Sequence, residues 1–296
     1  MPDETSDIFH FYNLYHLGDN ILNLKFLFNI SSLLKSKNIF IYYYYDDNYK
    51  YNSTIEMNKY LESSVVSLRP LSQKPCDAIE LFMGNEINGV NFLQVDAYFN
   101  LFYKKILQYL KLDNTKINTS VWQKEPYLNS VYNTLDKKYT DIDILIINNK
   151  GQSWQYLDND PLNNLAKYLN TKFNIVVTNF IDDSIKYTTN LTVQEYGAIS
   201  TRSKYVICVW SGSSVGCYNS YSKKYVKKWF FLGNLFGKQP VHRTVNSESL
   251  TNEHITKIKT YFDNVYRTQN KSSGLLNNLR VVEEGRKGIW GTKLRY

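Results

Sequence analysis

The stretch "IFHFYNLYHLGDNILNLKFLFNISSLLKSKNIFIYYYY", residues 8–45, decides the fold of this protein. It opens with a short apolar run at residues 8–12, and a polar loop follows at 13–20. Residues 21–36 then carry apolar side chains at helical spacing. Residues 38–45 form a second run rich in β-branched and aromatic side chains, which favours a strand. The order strand, loop, helix, strand predicts a parallel sheet with helices packed on its faces.

The same rhythm returns in the second half of the chain. Residues 113–126 are polar and irregular and make the best linker candidate, with a short helix expected at 127–137. Strands and helices alternate again from residue 141 onward, and the last long helix is predicted over 251–269. Thr192 and Glu195 have the spacing of a capping box. We therefore predict an α/β protein of two Rossmann-like domains facing a cleft, with domains at 1–137 and 138–296.

Composition narrows the classes of protein and of partner. Of the 296 residues, 43% are hydrophobic and 21% are charged, which supports a folded core and excludes wholesale disorder. The formal charge of +8 favours anionic partners such as nucleotides, phosphorylated sugars, nucleic acids or an acidic membrane surface. The 26 tyrosines, with abundant Asn, Lys and Ile, indicate AT-rich coding of a viral or similarly biased genome. The run at residues 41–47 is therefore read as a strand, not as an aromatic platform.

The cysteines and the termini indicate a compartment. Cys76, Cys208 and Cys217 lack metal-type spacing and suit a reducing environment. No signal peptide and no apolar run long enough to span a membrane is seen. We expect a cytoplasmic protein, in the host cytoplasm or the virion if the source is viral, with peripheral membrane contact left open.

Residues 212–216 match the G-x-S-x-G pattern of a hydrolase nucleophile elbow around Ser214. That pattern needs an acid and then a histidine downstream, each on its own loop. The available partners are His242 and His254, and the acids Glu248 and Glu253 lie too close to His254 in sequence. The pattern therefore favours a turn or a phosphate-holding loop over a nucleophile.

Metal sites receive little support from the sequence. The four histidines are scattered, and no C-x-x-C spacing occurs. Asp158 and Asp160 have the D-x-D form that can hold a divalent metal on a diphosphate, but they precede a helix whose N-terminus favours acidic residues. Asp141 and Asp143 share the form and lead into an apolar strand. We predict no metal requirement and no cofactor, and keep a metal-dependent GT-A transferase as an alternative.

The loop "HLGDN", residues 16–20, lies where strand one ends and helix one begins, which is the ligand-binding edge of an α/β sheet. A glycine there lets a ligand approach the backbone, and Asp19 can accept a proton from a hydroxyl group. An aspartate at a helix start also caps the helix. The spacing alone leaves these two roles of Asp19 equally open.

Taken in order, "HLGDNI", "IINNKGQSWQYL" and "LTVQEYGAISTRSKYVICVWSGSS" resemble the heptosyltransferase-like glycosyltransferases of family 9, which have the GT-B fold. The resemblance implies an inverting transferase that moves a hexosyl, deoxyhexosyl or heptosyl group from a nucleotide-sugar to a glycan or glycoprotein, with no specific nucleic acid as partner. Asp19 would be the catalytic base, flanked on the acceptor side by the loop residues His16, Gly18 and Asn20. The donor would lie against Lys150, Thr192, Trp210, Ser211, Gly212, Ser213 and Ser214.

Two departures from the family pattern bear on the donor. Trp210 stands where the family has an aspartate, and Val215 lies near the place of its histidine. Both family residues help to hold the donor, so we expect a donor other than ADP-heptose. The first departure also supports an alternative, a catalytically inactive protein of the same fold that binds carbohydrate or nucleotide. A basic nucleic-acid-binding protein is the further alternative, and no recognisable motif supports it.

Overall fold

A computed structural model describes the chain over residues 5–46, 57–58, 65–82, 95–125, 128, 131, 133, 135, 139–149, 160–188, 191–209, 212–232, 253 and 255–271. Its first half contains β1 (Asp7–Asn13), α1 (Leu17–Asn29), α2 (Ser31–Ser36), β2 (Ile39–Tyr45), β3 (Val66–Pro70), β4 (Ile79–Glu80) and α3 (Val95–Tyr109). The four strands form one parallel sheet in the order β3-β2-β1-β4. The tyrosine run is strand β2 and is largely buried, as the sequence predicts.

The second half repeats this organisation. It contains β5 (Ile142–Ile147), α4 (Asp160–Asn170), β6 (Ile175–Val177), α5 (Val193–Thr201), β7 (Ser203–Val209), a 3₁₀ turn (Gly212–Cys217), α6 (Ser220–Tyr225), β8 (Lys228–Leu232) and α7, 255–271. Its four strands are again all parallel, in the order β6-β5-β7-β8. The predicted α/β class, with two Rossmann-like units that each contain a parallel sheet, is confirmed.

The first helix differs from its prediction at both ends. It begins at Leu17, so Gly18 and Asp19 lie in its first turn, and it ends at Asn29. A second short helix follows after Ile30, whose backbone leaves the helical region at φ −101° and ψ 6°. The Asn29 side chain donates hydrogen bonds to the Lys25 and Lys124 carbonyls. Asn, Ile and Ser have weak helix propensity, and their succession explains why one predicted helix becomes two.

Residues 119–125 of the predicted linker at 113–126 are packed within the fold. Thr119, Val121, Gln123 and Glu125 are buried at alternate positions, as in an extended segment that covers a core. The Gln123 carbonyl accepts a hydrogen bond from the Ser220 backbone N–H at 3.0 Å. The segment thus holds the second unit by main-chain bonding and by burial. The sequence analysis predicted a linker because most of these residues are polar, whether their side chains are buried or exposed.

The apolar cores determine how the units associate. The core of the first sheet also includes Val193, Val215 and Tyr218 of the second unit. Helix α1 is therefore buried on most of its surface, since it packs on its own sheet and on the 3₁₀ turn. Leu128 and Leu135 pack in the core around β5 and β7. Burial of this continuous apolar surface stabilises the contact between the two sheets.

Candidate active site

The carboxyl end of β1 is held by a buried asparagine. Asn13 Nδ2 donates to the Leu81 carbonyl at 2.7 Å, and Asn13 Oδ1 accepts from the Tyr15 N–H at 2.7 Å. These two bonds turn the chain from the strand into α1 and fix the strand end to the residue after β4. The turn puts Asp19 directly at the carboxyl edge of the first sheet, which is the usual ligand-binding edge of such sheets.

A second network fixes the first turn of α1. Asn20 Nδ2 donates to the carbonyls of Tyr15 and His16, both at 3.1 Å. Its Oδ1 accepts from the buried Tyr43 hydroxyl at 3.0 Å, and that hydroxyl accepts from Asn23 Nδ2 at 2.9 Å. The predicted site residue Asn20 is therefore fully buried and positions the backbone beside Asp19.

The Asp19 carboxyl group lies in surroundings that suit a general base. Burial raises its pKa to about 7, although hydrogen bonds from the backbone N–H groups of Asp19 and His16 act in the opposite direction. The side chain keeps 22% of its surface exposed, so a proton can reach it. A carboxyl pKa near the working pH balances ionised population against basicity, which is the condition that favours general-base catalysis.

His16 is the N-cap residue of α1, and its imidazole lies near this carboxyl group. Its Nδ1 lies 3.9 Å from Asp19 Oδ2. Burial lowers the pKa of His16, which makes the neutral imidazole the main form at pH 7. A neutral neighbour offers the carboxylate little Coulombic stabilisation, and this agrees with the raised pKa of Asp19.

The 3₁₀ turn lies at the corresponding edge of the second sheet, after β7. Gly212 is exposed and Ser213 is half-buried, while Ser214 is fully buried. The Ser214 hydroxyl lies 3.1 Å from the Tyr218 hydroxyl, and either oxygen can be the donor. In this conformation Ser214 is part of the packing under the turn, and the surface of the turn is formed by Gly212 and Ser213.

The two edges touch at a pair of glycines. A Cβ atom on Gly18 would lie 2.8 Å from the Gly212 Cα and 3.3 Å from Val215 Cγ1. Both distances are too short for an unshifted side chain, so glycine at position 18 is required by close approach of the backbones. The contact puts Asp19, the next residue in α1, beside the serine-glycine turn of the second unit.

Lys25 joins the same two elements deeper in the fold. Its ammonium group is buried and donates to the Tyr218 carbonyl at 2.6 Å. Burial lowers the pKa of Lys25 to about 8, against the opposing influence of the nearby Glu125 and Cys217. Sequence analysis missed this residue, although a lysine within the apolar run "LNLKFLF" was a readable signal.

Helix α5 supports the turn from behind through two further close approaches. A Cβ on Gly216 would lie 1.9 Å from the Val193 carbonyl oxygen, and one on Gly197 would lie 2.6 Å from the Gly216 oxygen. Thr192 caps the helix, and the reciprocal bonds with Glu195 confirm the predicted capping box. The Thr192 side-chain oxygen accepts the Glu195 N–H, so its observed role is structural.

A polar cluster that the sequence analysis did not single out lies at the ends of β5 and β6. Asn148 Oδ1 accepts from the backbone N–H groups of Thr178 and Asn179, at 3.1 and 2.7 Å. Asn148 Nδ2 donates to Asn163 Oδ1 at 3.2 Å. This network holds together the edge at which the donor was predicted. The asparagine pair in "IINN" and the Thr-Asn pair that ends "VVTN" were its sequence signal.

Several predicted residues lie outside the described part of the chain. These are Lys150, Trp210 and Ser211 on the donor side, Asp158 of the D-x-D pattern, and His242, Glu248 and His254 of the hydrolase alternative. Glu253, by contrast, pairs with Lys257 on the exposed side of α7.

Of the two D-x-D patterns, the structure describes Asp141, Asp143 and Asp160. Asp143 accepts hydrogen bonds from Lys204 Nζ at 2.6 Å and from the Asn174 N–H at 2.9 Å. Asp160 is exposed in the first turn of α4. Within the described ranges, no three His, Cys, Asp or Glu side chains come together as a metal site would require. All three cysteines are free thiols.

Comparison with known proteins gives structural likenesses only. No family model matches the sequence, and no curated protein matches it. Among solved structures, the E. coli heptosyltransferase WaaC with ADP-2-deoxy-2-fluoro heptose is similar at 8% identity and TM-score 0.48, covering 85% of this chain and 98% of that one.

Two further likenesses are of the same order. A family 9 glycosyl transferase from Veillonella parvula has 13% identity and TM-score 0.44, covering 87% of this chain and 97% of that one. The dodecameric glycosyltransferase TibC from enterotoxigenic E. coli has 11% identity and TM-score 0.49, covering 91% of this chain and 78% of that one. At such values no residue-by-residue correspondence follows.

Across the ranges that the structure describes, none of the helices combines the length and the apolar character needed to cross a bilayer.

Proposed function

We propose that this protein is an inverting glycosyltransferase that moves a sugar from a nucleotide-sugar to an acceptor hydroxyl group, with Asp19 as the catalytic base. The observation that carries the proposal is the contact between Gly18 and Gly212, which brings Asp19 beside the serine-glycine turn of the second sheet. The motif resemblance of the sequence supports the same assignment. A hydrolase using Ser214 finds no support, because that hydroxyl is buried against Tyr218.

In the proposed reaction, the first unit deprotonates the acceptor and the second unit holds the leaving group. The Asp19 carboxylate takes the proton of the acceptor hydroxyl as its oxygen attacks the anomeric carbon of the donor. The bond from that carbon to the diphosphate oxygen breaks, and the nucleoside diphosphate leaves with the bonding electrons. Attack opposite to the leaving group inverts the configuration. General-base assistance of this kind contributes roughly 10²–10⁴-fold.

The donor is assigned to the second unit. The exposed Gly212 and the half-buried Ser213 offer backbone N–H groups on the surface of the turn, and small residues let a diphosphate approach the backbone closely. We assign Lys150 and Trp210 to the same donor site from their positions in the sequence alone. The proposed chemistry uses amide and lysine donors for the charge of the leaving group and includes no metal.

Nucleotide-sugar turnover tests the proposal directly. The protein is incubated with ADP-, GDP-, UDP- and dTDP-sugars, with and without EDTA, and release of nucleoside diphosphate is measured. We expect release with one donor that survives EDTA and falls at least about 10²-fold in Asp19→Asn. The matched control is Asp7→Asn, the same change at the exposed opposite end of β1, which should keep full activity.

Three results would contradict the proposal. Full turnover in Asp19→Asn would remove the assigned base. Turnover abolished by EDTA would favour the metal-dependent alternative. Stabilisation by a nucleotide-sugar without any turnover would favour the inactive binding protein.

A further inference from the structure

A group of aromatic and acidic side chains adjoins Asp19 on the first sheet. Strands β1 and β4 are paired so that Tyr12 lies opposite Glu80, and the Leu81 N–H donates to the Tyr12 carbonyl at 2.8 Å. Just beyond the strand ends, the rings of Tyr15 and Phe82 stack with centroids 3.6 Å apart and planes 17° apart. We call Tyr12, Tyr15, Glu80 and Phe82 the acceptor patch.

Geometry and charge place this patch within reach of the candidate base. Asn20, the residue after Asp19, donates its Nδ2 to the Tyr15 carbonyl at 3.1 Å, which ties the patch to the first turn of α1. Burial raises the pKa of Tyr15, and the carboxylates of Glu80 and Asp19 raise it further. All four members of the patch are partly exposed, and Leu14 next to them is 43% exposed. The patch is therefore an accessible surface with aromatic rings, hydroxyl groups and carboxylates.

Two carboxylates and one ammonium group lie in or beside the patch. The chain carries +8, yet Asp19 and Glu80 bring two carboxylates to this edge. The nearby Lys74 directs its ammonium group over the Tyr12 ring at 4.5 Å and donates to the Pro75 carbonyl at 3.3 Å. An anionic ligand placed beside Asp19 would meet like charges at short range, where repulsion is strong.

We propose that the acceptor patch binds an uncharged sugar and rejects phosphorylated or carboxylated sugars. This inference rests on the proposed function, since it names the acceptor class of the same site. Aromatic rings offer apolar faces to the C–H groups of a sugar, and carboxylates accept hydrogen bonds from its hydroxyl groups. A phosphate or carboxylate group is ionised at neutral pH and adds a like charge beside Glu80.

Binding without turnover tests the proposal independently of catalysis. Saturation-transfer NMR compares methyl glucoside, galactoside, mannoside and fucoside with glucose 6-phosphate, mannose 6-phosphate and glucuronic acid, with no nucleotide-sugar present. For the wild type we expect a neutral glycoside to bind at least about tenfold more tightly than its charged counterpart at low salt. High salt should narrow that ratio, because it screens the carboxylates.

Variants separate the charge from the aromatic surface. Glu80→Gln should reduce the preference for the neutral sugar to about threefold or less, while Asp7→Asn, about 17 Å away along β1, should keep it. Phe82→Leu should weaken the binding of neutral and charged sugars alike, so the ratio of their affinities should stay unchanged. Equal or tighter binding of the charged sugars by the wild type would overturn the proposal. So would equal ratios in Glu80→Gln and Asp7→Asn, or binding of none of the glycosides.

The outcomes also separate this proposal from the proposed function. Selective binding of a neutral sugar without nucleotide-sugar turnover would leave the acceptor patch standing and refute the transferase. Turnover that requires Asp19 but uses a phosphorylated acceptor would support the transferase and refute the neutral acceptor.

Discussion

Replacing Asp19 by asparagine should stabilise the protein in a pH-dependent way. The folded state holds the pKa of this carboxyl group at about 7, against an ordinary value of 3.8. The folded protein therefore binds this proton more tightly than the unfolded chain does. The resulting stability is complete below about pH 4 and is lost as the pH rises through about 7. An ionised Asp19 at neutral pH thus weakens the fold, as expected of a residue kept for its chemistry.

The size of the effect follows from the shift. A pKa of about 7 in place of 3.8 corresponds to roughly 4 kcal/mol at pH 8 and to roughly 1–2 kcal/mol at pH 5. Asparagine keeps the shape of the side chain, and its Oδ1 can accept the same backbone N–H groups that the carboxylate accepts. We therefore expect Asp19→Asn to match the wild type near pH 4 and to exceed it by roughly 2–4 kcal/mol at pH 8.

Urea unfolding at intervals from pH 4 to pH 8.5 measures this difference. Asp7→Asn is the matched control, and its difference from wild type should stay within about 0.5 kcal/mol at every pH, as for an exposed surface position. The reasoning is refuted if the wild type and Asp19→Asn give parallel stability curves, because the carboxyl group would then have the same proton affinity folded and unfolded.

Four further expectations concern the machinery around this group. In the active protein, the acid limb of kcat/KM against pH should have an apparent pKa near 7, and an acid limb near pH 4 would exclude Asp19 in its raised state. Gly216→Ala should destabilise the fold by about 3 kcal/mol or more in urea unfolding, because its Cβ would meet a carbonyl oxygen at 1.9 Å. Gly212→Ala is the control and should cost under about 1 kcal/mol, because the contacts of its Cβ are 3.6 Å and longer. Equal losses of stability in the two variants would contradict the packing of this turn. Lys25→Met should lower the free energy of unfolding by about 3–5 kcal/mol, because the buried Glu125 then lacks its nearby positive charge. In a double-mutant cycle, adding Glu125→Gln should recover part of that loss. Additive losses of stability would show that the two charges are uncoupled. Tyr43→Phe should cost about 2–4 kcal/mol in urea unfolding, because two buried amide groups lose their hydroxyl partner, and a neutral change would show that they find other partners.

Particular residues show how much of the site could be read from the sequence. Gly18 and Asp19 could be placed at a strand–helix junction because apolar periodicity located both elements. The base and cap roles of Asp19 stayed open, since the choice depends on burial by other elements. Tyr15, Glu80 and Phe82 carried no signal as a group, because they come from separate segments that only the pairing of β1 with β4 brings together.

Ser214 and the segment at 113–126 show the opposite limit. A short pattern around Ser214 is compatible with a surface loop and with a buried turn, and only the Tyr218 hydroxyl beside it decides between them. The buried positions of the segment alternate with more exposed ones, and three of the four buried residues are polar, so its composition matched a linker. Local patterns report on local structure, and these two features depend on the second unit.

By itself, the sequence determined the parallel α/β class, the strand at the tyrosine run and the capping box at Thr192, because backbone periodicity and capping act within a few residues. The tertiary structure alone decided that Gly18 meets Gly212, that Lys25 reaches a carbonyl 193 positions away and that Asp19 is sufficiently desolvated to raise its pKa to about 7. The physical reason is that desolvation and close backbone approach depend on which distant segments pack together, and that packing is fixed only when the two sheets associate.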